Sequence, residues 1–231
     1  IVYPRYVHNF AFRSPATFGI RNRAMNTRQI KLENIKTLSS MGVDIPESLP
    51  EIESISELSP QADNNCAKRV IVLGYMIGFG FKANPDDLKA ALERYDLWSS
   101  CSHKEKGLFG RELSPQEVIN CTWLTECVQA FAWAFNLADL NHFQRCDDSL
   151  ANNFPAPFSD PSTFINNIKL RPIDEIHRMA DLHYRMHWAA RESRITGKSC
   201  RLEEGIISER RKTLDWIIGV EKNWDEVPLD T

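Results

Sequence analysis

Between Asp174 and Thr196 the apolar residues return at helical spacing, and Ile176, Met179, Ala180, Leu182, Met186 and Ala190 share one broad face at about 100° per residue. His183, His187 and Arg194 fall inside that face. The polar face left over is narrow: Arg178, Asp181, Arg185 and Glu192. Within it Asp174/Arg178 and Asp181/Arg185 stand four apart with the acid first, the favourable order for a surface pair. Gly197 supplies the stop. A second helix over residues 202–218 turns Leu202, Ile206, Thr213, Leu214 and Ile217 inward, and Arg210 lies in the same stripe. Two histidines and two arginines are thus offered to an interior, where each needs a partner. The tail carries Asp225, Glu226 and Asp230, and by folding back it would pair its carboxylates with Arg194 or Arg210.

The rest of the chain reads as further helices. Residues 28–41 are periodic through Ile30, Ile35, Leu38 and Met41, with Gly42 at the end. Residues 66–81 are apolar nearly all round despite Gly74, Gly78 and Gly80, as expected of a helix surrounded by others. Asn84 caps the next helix, with Pro85 at its first position and Asp86 and Asp87 in its first turn, and it runs to about Trp98. Ser114 and Glu117 form a capping box opening a helix over residues 115–137, with Leu124, Cys127, Val128, Phe131 and Phe135 on its inner face. Asp160 and Pro161 begin a short helix. Residues 43–65, 99–112 and 138–160 read as loops, the first acidic and holding three prolines. The expected fold is mainly α, a single-domain array of six to eight helices over residues 28–231. Residues 1–27 are expected to form an arm that contributes a strand or a partner contact.

Composition narrows the function classes. No apolar run approaches the ~18 residues that cross a bilayer, and no secretory h-region stands in the chain. Six cysteines are scattered without C-x-x-C spacing and read as reduced cytosolic thiols, which places the chain in the cytoplasm. A net charge of −3 gives no general attraction to nucleic acid. The charge is segregated, however: residues 1–36 carry seven bases and one acid, and residues 44–64 carry six acids and no Lys or Arg. Such segregation can steer a partner or neutralise itself within one fold.

The run YRMHWAARESRITGK, followed by GIISERRKTLDWI and WDEVPLDT, resembles the bacterial, archaeal and viral family catalogued as domain of unknown function 4272. AKRVIVLGYMI, LSPQEVINCTW and AFAWAFNLADL are similar to its earlier blocks in the same order, so the resemblance spans about residues 32–231. It implies a fold unit and no mechanism.

Two chemical sites compete with the structural reading. His183 and His187 stand i,i+4 and could share a divalent metal, with Glu209, Asp225 or Asp230 as a further ligand. Glu209 would then be the general acid/base of a metal- or anion-dependent hydrolase. Arg191, Arg194 and Arg210 could converge with the histidines on a phosphate or carboxylate. H-E-x-x-H, G-x-S-x-G and P-loop signatures are absent, and Cys101 with His103 carries no specific signal. The reading favoured by the missing motifs, the segregated charge and the acidic loop is a non-enzymatic protein-binding domain without a cofactor, with another protein or a second copy as partner. The resemblance lends it a concrete form, an immunity-like or antitoxin-like adaptor in a bacterial or phage context.

Overall fold

The caps written in the sequence set the element boundaries of the computed structural model, which describes residues 26–231. Asn26 accepts the Arg28 N–H and opens α1 (Thr27–Ser40). Then come α2 (Asp63–Gly80) and α3 (Pro85–Arg94), the latter capped by Asn84. A four-residue α4 (His103–Lys106) precedes the long α5 (Pro115–Ala134), and both open on capping boxes, Ser102/Glu105 and Ser114/Glu117. After α6 (Ser162–Asn167), α7 (Ile173–Thr196) and α8 (Glu204–Ile218) stop at left-handed glycines, Gly197 and Gly219. Short 3-10 turns occupy Ile55–Glu57, Trp98–Ser100, Asp148–Asn153 and Trp224–Glu226, and the described residues contain no strand. The mainly α array of six to eight helices is therefore what the described residues form. Of the arm expected over residues 1–27, all but Asn26 and Thr27 lies outside the described residues.

The helices pack in a row. α2 lies on α5, α5 on α8, α8 on α7 and α7 on α1, while α3 and α6 flank α2. A helix in the middle of such a row must be apolar on opposite sides, which is why α5 carries buried residues at Cys127, Phe131 and Ala134 as well as at Cys121, Val128 and Ala132. α2 and α5 approach closely at Gly80, where an added Cβ would lie 2.7 Å from Cys121 Cβ. The core divides along the row: one cluster is built on α2, α5 and α8 with Trp216 and Trp224, the other on α1, α7 and the segment from Val43 to Leu49. Each fully buried Leu, Ile or Phe in these clusters contributes about 1.5–3 kcal/mol.

Three local expectations change. α3 ends at Arg94 rather than near Trp98, because Asp96 enters the left-handed region at φ 54 and cannot continue a helix. The narrow polar face of α7 is not a surface: Asp181 and Arg185 are 1% and 0% exposed, because α1 and the acidic segment cover that side. That segment is tied down rather than free, since Arg185 donates to the Pro50 carbonyl, His177 Nε2 lies 2.7 Å from the Glu53 carbonyl, and Gln61 N–H donates to the Ile217 carbonyl. No helix of the described residues is long and apolar enough to cross a membrane.

Candidate functional site

The polar residues singled out on α7 and α8 are brought into one region but do not converge on a shared centre. Arg194, the most exposed, pairs with Glu204 at 2.6 Å. Arg191 Nη1 donates to the carbonyl and the hydroxyl of Thr231, at 2.6 and 3.1 Å. Arg210 is buried against Glu126, with Nε and Nη2 2.9 and 2.7 Å from Oε2. Glu209 accepts from the Cys127 thiol at 3.1 Å, and no hydrogen bond or ion pair links it to either histidine. The tail does fold back, but it meets Arg191 and Arg211 through main-chain carbonyls and sends Asp225 to Lys104. Glu126 and Arg211, which complete these pairs, carry no periodic signal: one sits in an apolar helix and the other beside Arg210.

The histidine tautomers follow from their partners. His183 Nδ1 lies 3.0 Å from the Met179 carbonyl, which only accepts, so Nδ1 carries the proton and Nε2 is a bare lone pair. That Nε2 is buried without a partner, as is Nδ1 of His142, whose ring stands edge-on to His183 at 5.2 Å. His187 Nδ1 accepts from Arg211 Nη1 at 3.1 Å, which fixes the opposite tautomer. Burial holds His183 well below its ordinary range, while burial and the Arg211 charge lower His187 to about 4, and burial and Arg210 lower His142 to about 4. No group of three or more His, Cys, Asp or Glu among the described residues is arranged to hold a metal ion.

The larger open feature lies on the other side of α5. A cleft of about 560 Å³ runs between α2, α3, α5 and the segment 146–161, within the size range of ligand pockets. Ile71, Ile77, Leu88 and Val128 line its apolar floor and sides. Gly74 and Gly78 open one face of α2 toward it: a Cβ at Gly74 would meet nothing within 4 Å, in contrast to the crowded Gly80. A mid-helix glycine costs about 0.5–1 kcal/mol relative to alanine, and at Gly74 no neighbour requires it. Phe81 and Phe158 stand at the edge, 70% and 44% exposed.

The outer wall is the run FPAPF, residues 154–158, which closes in a turn at Pro157 and Phe158 where the Ser159 N–H donates to the Ala156 carbonyl at 3.1 Å. The longer segment 146–161 that carries this run is held just before its start and near its far end. At one end Arg210 donates to the Asn141 and Gln144 carbonyls, at 2.6 and 2.9 Å, and Glu126 Oε1 accepts the Cys146 N–H at 3.0 Å. At the other, Tyr95 OH donates to the Phe158 carbonyl at 2.7 Å, and Phe158 itself takes φ 63, uncommon for a non-glycine residue. The buried Arg210–Glu126 pair therefore positions the wall of the cleft, a role that helical periodicity does not reveal. The signal that marks the cleft is Gly74 and Gly78 spaced i,i+4 in an apolar helix, followed much later by a proline-braced apolar loop.

The family model described as Domain of unknown function (DUF4272) matches residues 30–227 of this chain. No curated protein and no solved structure matches it.

Proposed function

The chain belongs to the DUF4272 family, and we propose that it works as a non-enzymatic binding domain whose working surface is the cleft between α2, α3, α5 and the 146–161 wall. The observation that carries this reading is a preformed apolar cavity of about 560 Å³ kept open by Gly74 against helix propensity. The residues that suggested chemistry are engaged within the fold: Arg210 holds the wall, Arg191 and Arg211 hold the tail, and His187 is fixed by Arg211. The protein-binding role expected from the sequence is one form of this proposal, in which apolar side chains of a partner enter between Phe81 and Phe158.

The neutral dye Nile red tests it. It should bind the wild type with about one-to-one stoichiometry and a rise in emission. Gly74→Leu, whose side chain would project into open space, should keep the circular dichroism spectrum and melt at or above the wild-type temperature but lose the emission. A Gly74→Leu protein that binds the dye as well as the wild type does would refute the reading.

A further inference from the structure

We infer that the guest is a small amphiphile with a protonated amine at one end of an apolar body; this rests on the cleft reading above. The cleft contains no Lys, Arg or His, and its charged lining residues are Asp147 and Asp148, adjacent in the chain on the same wall. Asp147 Oδ1 accepts the Ser149 N–H at 2.8 Å, which caps the 3-10 turn, and the Ser149 side chain together with this N–H holds its carboxyl below the usual range, so this acid is anionic at neutral pH. Asp148 is exposed and has no hydrogen bond or ion pair among the described residues. Both acids are exposed at the rim of the cleft, so they repel a fatty acid or phosphate head and attract a cation across solvent, and salt should weaken the preference.

The aromatic lining points the same way. Tyr75 and Phe158 meet edge to face at 5.8 Å within the cleft wall, and Phe154 lies four residues before Phe158 in the same lining. Aromatic faces attract cations through their quadrupole, so the ring lining is compatible with a cationic guest. The Cys146 thiol in the lining is pushed up by burial and stays neutral, adding no competing anion. A neutral apolar guest would fill the floor but leave the pair of acids unused.

Calorimetric titration with decylamine, decanol and decanoate, each below its micelle threshold, separates the possibilities. Decylamine should bind at least about tenfold more tightly than decanoate. The difference should disappear in Asp147→Asn/Asp148→Asn, in which the side-chain amide oxygen at position 147 can still cap its turn, while decanol binding stays unchanged. Equal binding of amine and carboxylate, or a preference that survives the double variant, overturns the head-group assignment and leaves the cleft reading standing. Nile red binding without any of the three probes also overturns it and points to a protein segment as the guest. Failure of Nile red itself removes the cleft reading instead.

Discussion

Arg211 Nη1 lies 3.1 Å from His187 Nδ1, and the same nitrogen donates to the Asp230 carbonyl at 2.9 Å. One guanidinium thus fixes a histidine tautomer on α7 and the position of the tail, while its Nε holds Asp215 on its own helix at 3.0 Å. This polar part of the interior is a structural joint between α7, α8 and the tail.

The three buried histidines make the fold acid-sensitive. An unfolded histidine takes up its proton near 6.5, whereas folded His142 and His187 hold out to about 4 and burial keeps His183 well below its ordinary range. In that window the unfolded chain binds more protons, so stability is lost as pH falls below about 6.5. Asp215 opposes the trend: burial raises it to about 7, and its folded carboxyl binds a proton that the unfolded chain has released above 3.8. Three histidines outweigh one aspartate, with about 1.4 kcal/mol per pH unit for each excess proton. The urea midpoint should be lower at pH 5 than at pH 7; an equal or higher midpoint contradicts this.

Replacing both central histidines should lower stability. His183 is fully buried and His187 caps the Arg211 network, so His183→Ala/His187→Ala is expected to lose about 2–4 kcal/mol in urea unfolding. Metal content by mass spectrometry on the same two proteins checks the alternative. A stoichiometric metal present in the wild type and lost in the variant would restore the hydrolase reading of these residues.

Glu126→Ala strands the buried Arg210 charge and should cost about 3–5 kcal/mol. It also releases the Cys146 N–H at the start of the cleft wall, so Nile red affinity should fall with stability. Glu126→Leu/Arg210→Met, which removes both charges, should regain part of the stability but not the dye binding, because the Asn141 and Gln144 carbonyls lose their donor. Full recovery of binding would show that the pair does not position the wall.

Two glycines should respond in opposite directions. Gly219 sits at φ 87, and an added Cβ would lie 2.2 Å from the Ser59 carbonyl oxygen, so Gly219→Ala should destabilise by about 2 kcal/mol or more. Gly74→Ala meets open space in mid-helix and should stabilise by about 0.5–1 kcal/mol. Thermal melts of the two variants check both signs.

Asn84, Ser114 with Glu117, and Gly197 mark helix ends through local hydrogen bonding and backbone freedom, so these ends were legible without any tertiary information, whereas the Asn26 and Gly219 caps emerged from the structure. The same locality explains the burial of Ile176 and Met186, whose spacing alone points them inward. A short capped element such as α4 was hidden among polar residues because four residues give no periodicity.

What the sequence could not decide is which partner each buried charge would find, because those partners lie far away along the chain. Asp181 and Arg185 look like a surface pair until α1 and the acidic segment cover them, and Arg210 meets Glu126 across 84 positions. The cleft is likewise a property of the assembly: an all-round apolar α2 is compatible with complete burial, and only the distance kept by the 146–161 wall leaves Gly74 facing open space. Periodicity fixes the direction a side chain takes from its own helix. Packing of remote elements fixes what it meets there, and the candidate site follows from the second.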